Sequence, residues 1–174
     1  TINQELALAE ETGFNSLRVN LQYLVWQNDP TGLKQRMTQF LGIAASHNLS
    51  TTFVLLDDCN FAHKEPYLGP QDPPVPGVCM SSWTPSPGLK AVTDQSAWPG
   101  LEKYIKDIVG AFGQDQRVLM WDLYNEPGNS GLGNKSLPLV EATFAWARAA
   151  KPMQPLTMSP WGDPPEISRR QIEL

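Results

Sequence analysis

Cysteine and histidine are scarce in this chain, two of each in 174 residues, and that scarcity narrows the chemistry open to it. Cys59 and Cys79 fall in one long loop, where they read either as a local disulfide or as two free thiols. A zinc site built from Cys59, His63 and Cys79 would lack the paired second half that such centres use. His47 and His63 have no evident partner in the sequence. Basic residues are also in the minority: 13 Lys and Arg against 18 Asp and Glu give a net charge of −5. That sign disfavours nucleic acid or an anionic membrane as the main partner. No apolar run approaches the roughly 20 residues that cross a bilayer. The opening TINQELALAEE lacks the basic segment and apolar stretch of an export leader. Because the chain starts directly in a helical pattern, its compartment stays open, and secretion or a periplasm is compatible with it.

What is present is an ordinary globular mixture, 41% hydrophobic and 18% charged, enough for one domain and no second. The apolar period switches repeatedly between helical and strand-like. Residues 2 to 12 read as a helix stopped by Gly13. SLRVNL (16 to 21) alternates, with Leu17, Val19 and Leu21 on one side and Arg18 and Asn20 on the other, which is a strand. Leu33, Met37, Phe40, Leu41 and Ala44 mark a helix from 31 to about 47. TTFVLL (51 to 56) reads as a strand buried on both faces. The stretch after it carries Pro66, Pro70, Pro73, Pro74, Pro76, Pro85 and Pro87, which exclude regular structure. Leu101, Tyr104, Ile105, Ile108, Val109 and Phe112 form a clear helical stripe, with Pro99 in its first turn. A strand at 117 to 124, a helix through Leu137, Val140, Phe144 and Ala147, a strand at 155 to 159 and a helix after Pro165 complete the order.

Alternation of this kind means parallel strands with helical crossovers, hence an α/β fold. It does not separate an open doubly wound sheet from a (β/α)₈ (TIM) barrel. The long insertions, 57 to 96 and 125 to 136, follow strands, and in both architectures ligand sites lie at the carboxyl ends of strands. Four strands are half of a barrel, so on the barrel reading the chain is incomplete. Its outer strands would then expose unpaired edges, and Arg18, turned to the interior, would lack its acid partner.

Within that frame Glu126 closes an apolar strand, and Pro127, unable to donate a ladder hydrogen bond, turns the chain out of the sheet. A carboxylic acid at a rigid, partly desolvated strand end is what protonation of a glycosidic oxygen requires. Asn125 adds a neutral donor and acceptor suited to a sugar hydroxyl. Because strand side chains alternate, both residues reach one pocket only if the strand loses regularity there.

The run MWDLYNEPGN (119 to 128), preceded by GFNSLRVNL and TTFVLLDD and followed by PLTMSPW, resembles the fourth-strand motif and flanking strands of clan A glycoside hydrolases, closest to family 5-like cellulases, mannanases and xylanases. The resemblance covers nearly the whole chain and makes it the second to fifth strands of a partial TIM barrel. It implies Glu126 as the general acid/base, Asn125 as the ligand of the sugar 2-hydroxyl, and Arg18 as the partner of a nucleophile. Of Asp57 and Asp58, one is expected to face the site and the other to hold the loop, and the clan pattern favours Asp57 at the site. Trp26 and Trp161 follow strands, where their rings either stack on sugar faces or pack in the core. Trp121 and Trp146 sit within regular elements and read as core.

The clan's nucleophile, a glutamate ending a seventh strand, has no counterpart here, since Glu166 and Glu173 read as helix residues. Many clan members also place a histidine near the catalytic pair, and none matches. The implied activity is cofactor-free, retaining hydrolysis of a β-linked polysaccharide or oligosaccharide. Two other readings stand beside it: a carbohydrate-binding barrel that has lost its second carboxylate, and a nucleotide-binding protein using GNSGLGNKS (128 to 136). The latter run fails the phosphate-loop spacing, because Asn134 separates Gly133 from Lys135.

Overall fold

The computed structural model describes residues 1–161 and 165–172. Four parallel strands, in the spatial order β1-β2-β3-β4, alternate with helices in an unclosed sheet. This is the α/β arrangement of a partial (β/α)₈ barrel.

Helix α1 (Ile2–Glu11) ends where Gly13, at φ +90°, donates to Glu10 and Phe14 donates back to Ala9, a left-handed stop that glycine adopts without strain. Strand β1 (Ser16–Asn20) follows. A short helix the sequence pattern did not reveal, α2 (Tyr23–Asn28), precedes α3 (Pro30–Ser46). Six residues are too few to establish a period. In α3, Asp29 accepts from Gly32 N at 2.8 Å and Pro30 occupies the first turn, while Leu33, Met37, Leu41 and Ala44 form the buried stripe.

Strand β2 (Ser50–Asp57) leads into the proline-rich stretch. The expectation of no regular structure up to Ser96 needs correction at its end. Helix α4 (Leu89–Thr93) and a 3₁₀ turn (Gln95–Ala97) begin as soon as the prolines stop, the turn capped by Asp94 accepting from Ser96 N. Helix α5 (Trp98–Phe112), strand β3 (Val118–Asn125), helix α6 (Leu137–Ala149), strand β4 (Leu156–Ser159) and helix α7 (Pro165–Ile172) complete the chain. The buried residues of α5 are the six of the sequence stripe.

The two faces of the sheet differ. Phe53, Leu55, Trp121 and Leu123 are wholly buried in one cluster with the inward residues of α3, α5 and α6. Phe53 stacks on Trp121 at 5.9 Å, the Trp121 indole donates to Gln154 Oε1, and the Tyr104 hydroxyl donates to the Leu55 carbonyl. The opposite face carries Arg18, Thr52, Met120 and Asp122 and borders an open hollow of about 510 Å³. Leu119 stands at the rim of that hollow and is 43% exposed.

The contrast yields a stability prediction. Trp121→Ala should cost about 3–5 kcal/mol through cavity formation, and Leu119→Ala should stay within about 0.5 kcal/mol. Urea denaturation of both variants provides the check, and equal losses would contradict this division of the sheet into a packed and an open face.

Candidate active site

The carboxyl ends of the strands bring together Asn20, Asp57, Asn125 with Glu126, and Ser159. Arg18 ties them. Its Nε and Nη2 donate to Asp122 Oδ2 at 3.0 and 2.6 Å, and Nη2 also reaches Asn125 Oδ1 at 2.8 Å and Ser159 Oγ at 2.9 Å. Ser159 in turn donates to the same Asp122 oxygen at 2.8 Å. The expectation that Arg18 lacks an acid partner within these residues is therefore corrected: β3 supplies Asp122, 2% exposed. A lone acid in a buried strand, four residues before Glu126, was the sequence signal for it. Asp122 Oδ1 is buried without a hydrogen-bond partner among the described residues.

Asp122 and Asn125 are three positions apart, an odd separation that puts side chains on opposite faces of a regular strand. Both touch Arg18 because the β3–β4 register shifts between them, Asp122 pairing with Thr157 and Asn125 with Ser159. The irregularity that the sequence argument required at Asn125–Glu126 thus occurs just before Asn125, as a bulge-like break.

Asn125 is held at both ends of its amide. Nδ2 donates to Asp57 Oδ1 at 2.9 Å while Oδ1 accepts from Arg18. Asp57, 3% exposed, also accepts from Cys59 N at 2.8 Å and from the Trp83 indole at 2.7 Å. Trp83 and Asp57 border a pocket of about 250 Å³ together with Asn20, Gln22 and Gln71. Trp83 escaped the sequence reading because it sits far along the proline-rich stretch, where no strand end marks its position.

Glu126 has φ +46°, a left-handed conformation that costs an ordinary side chain about 1–2 kcal/mol. The backbone is held in it by Glu126 N donating to Ser159 O at 2.8 Å and Asn129 N donating to Glu126 O at 3.0 Å. Its half-buried carboxylate accepts at Oε2 from Asn129 Nδ2 at 2.7 Å and from Cys59 Sγ at 3.2 Å. Neither partner was a sequence candidate. Cys59 had been read only as a disulfide or metal residue, yet Cys59 and Cys79 are both free, the first buried and the second exposed. Among the described residues no group of three or more His, Cys, Asp or Glu is arranged to hold a metal.

Asp58, wholly buried, holds the following loop. It accepts from the Tyr124 hydroxyl at 2.7 Å, Gly128 N at 2.8 Å and Ser136 Oγ at 2.5 Å. Burial pushes its carboxyl up to about 6, against those three hydrogen bonds, which favour the ionised form. The run GNSGLGNKS is consequently a loop and 3₁₀ turn hung on a carboxylate, and the backbone N–H and hydroxyl at its two ends already have an anionic partner.

The two tryptophans proposed for sugar stacking part company. Trp26 is corrected to a core residue: 5% exposed, its ring 5.4 Å from that of Tyr104 and its indole donating to Asp107 at 2.8 Å. Trp161, just beyond β4, is 38% exposed, with its backbone N donating to Gln171 Oε1. Trp121 is core, and Trp146 is partly buried against it. Glu166 lies in the first turn of α7, and Glu173 falls outside the described residues.

No family model matches the sequence, and no curated protein matches it. Solved structures do match in fold. An endo-1,4-β-mannanase from Eisenia fetida superposes with TM-score 0.62 at 16% identity, covering 93% of this chain and 50% of its own. A GH5_18 variant from Streptomyces cattleya, in complex with Manβ1-4GlcNAc, gives 0.60 at 13%, covering 89% and 38%. A family 39 glycoside hydrolase from the gut symbiont Bacteroides cellulosilyticus gives 0.55 at 18%, covering 90% and 28%. The chain spans half or less of each of these structures. At such identities the likeness is one of fold, and it extends over family 39 as well as family 5.

Asp58 generates a pH prediction. Because its folded-state value is raised, the fold favours the protonated acid, so its contribution is fully present below about pH 4 and is lost as pH rises through about 6. In Asp58→Asn an amide takes the carboxyl's place, with Oδ1 accepting from Gly128 and Ser136. The variant should therefore gain on the parent by up to roughly 3 kcal/mol between pH 4 and 7. Urea midpoints measured across that range test it, and a gap independent of pH would refute the assignment.

Proposed function

We propose that residues 1–174 form the second to fifth strands of the catalytic barrel of a retaining glycoside hydrolase acting on a β-linked polysaccharide or oligosaccharide without a cofactor. The observation that carries this reading is Glu126. It is a half-buried carboxylate on a strained backbone at the carboxyl end of a barrel-type strand, between the ends of β2 and β4. The fold likeness to glycoside hydrolases supports it. In this reading Glu126 protonates the leaving oxygen and later deprotonates water. Asn125, oriented by Asp57 and Arg18, meets the 2-hydroxyl, with Asp57 and Trp161 serving the substrate on either side.

The second carboxylate has to come from elsewhere in the protein. Asp57, Asp58 and Asp122 are each turned into hydrogen bonds with this chain's own donors. Arg18 Nη1 makes no hydrogen bond to the described residues, which leaves a donor to hold an incoming carboxylate ionised. The same observation keeps a second reading in view, a carbohydrate-binding barrel with a single carboxylate at its mouth.

Glu126→Gln in the complete protein separates the two. The hydrolase reading expects turnover of natural glycosides to fall by about 10²–10⁴-fold with binding retained, and a dinitrophenyl glycoside, whose leaving group needs no proton, to lose far less in its first step. Absence of hydrolysis by the parent protein with intact glycan binding would favour the second reading. For the stereochemistry, carboxyl groups about 5–5.5 Å apart leave no room for water and force a glycosyl-enzyme. Proton NMR of the first product should therefore show the anomer of the substrate, and an inverted anomer would remove the roles given to Glu126, Asn125 and Arg18.

A further inference from the structure

The two donors on Glu126 converge on one oxygen. Asn129 Nδ2 and Cys59 Sγ both donate to Oε2, at 2.7 and 3.2 Å, while Oε1 accepts nothing from the described residues. A carboxyl oxygen has two lone pairs, so an Oε2 that receives two donors has none left for a proton. From this convergence we infer that Cys59 and Asn129 are positioning residues that confine the acid's proton to Oε1, making Oε1 the atom that protonates the glycosidic oxygen. The inference rests on the hydrolase reading above.

The fold holds both donors in place. Asn129 is aimed by its own amide, since Oδ1 accepts from the backbone N and the hydroxyl of Ser130 and Nδ2 is thereby directed at Glu126. Its backbone is closed into a tight loop by Gly133 N donating to Gly128 O at 2.8 Å. A Cβ on Gly128, at φ +97°, would stand 2.8 Å from the Gly133 carbonyl, so glycine is required there. Cys59 follows Asp58, the residue that anchors the same loop. Its sulfur accepts from Asn125 Nδ2 at 3.4 Å and Asn129 Nδ2 at 3.5 Å, which turns its single proton towards Glu126. Burial, with Asp57 nearby, drives the thiol's ionisation far upward, so it remains a donor at any working pH.

In the first step the proton leaves Oε1 for the glycosidic oxygen as the C–O bond breaks with its electron pair onto that oxygen. In the second, Oε1 takes a proton from the attacking water. The two hydrogen bonds on Oε2 persist through both, so the carboxyl neither rotates nor exchanges its oxygens.

Asn129→Ala, Cys59→Ala and Cys59→Ser in the complete protein test this, with Glu126→Gln alongside. On a natural glycoside, Asn129→Ala should lower kcat on the order of 10–100-fold with KM unchanged, and Cys59→Ala should act in the same direction. On the dinitrophenyl glycoside of the same sugar both should retain their glycosylation rate within a few-fold. Cys59→Ser, which keeps an O–H donor, should recover most of what Cys59→Ala loses, and it remains informative if the alanine variant does not fold. Equal losses on both substrates, or full activity in Asn129→Ala and Cys59→Ala while Glu126→Gln is inactive, would overturn the inference alone. Full activity in Glu126→Gln would overturn the hydrolase reading and this inference together.

Discussion

The shift of register between Asp122 and Asn125 is the constraint on which the carboxyl edge of the sheet depends. A regular β3 would direct Asp122 and Asn125 to opposite faces, and Arg18 could then reach only one of them. With the shift, one guanidinium joins Asp122, Asn125 and Ser159, linking β1 to β3 and β4 across the intervening β2. The break also places the next residue, Glu126, on a left-handed backbone whose N–H is caught by the Ser159 carbonyl. Position and strain at the proposed acid are thus consequences of how two neighbouring strands pair.

A strained residue at a loop mouth needs surroundings that over-determine it, and here a buried carboxylate supplies them. Asp58 gathers Tyr124 from β3, Gly128 from the start of the loop and Ser136 from its end. The loop between is folded back so that Asn129 faces Glu126. The opposing effects on Asp58 balance on the side of burial, which raises its carboxyl despite three donors. Asp57, one residue earlier, alternates to the other side and serves Asn125, Cys59 and Trp83. Two adjacent acids therefore do separate work, one for the loop and one for the strand ends.

How much of this was legible in the sequence varies residue by residue. The stripe of α5 was complete, because fifteen residues of unbroken helix repeat the apolar step often enough to define a face. The division between Asp57 and Asp58 followed from strand alternation. Trp26 and Trp161 carried the same signal, an aromatic after a strand, and only packing told them apart. Trp26 lies in a short helix that folds back among Tyr23 and Tyr104, whereas Trp161 stays in extended chain at the edge. Cys59 and Asn129 are 70 positions apart, and nothing local in either segment announces that they meet at one carboxylate.

By itself the sequence determined the order of strands and helices, the parallel sheet, and the position of Glu126 at a strand end, because each is written in local periodicity and in the proline that follows. The tertiary structure alone decided which groups face that carboxylate, that Asp122 completes Arg18, and that one oxygen of Glu126 receives two donors while the other receives none among the described residues. Those outcomes depend on strand register, on a loop closed through Gly128 and on burial of Asp58. Each is a relation between segments distant in the chain, settled only when the sheet forms and its ends are brought within hydrogen-bonding distance.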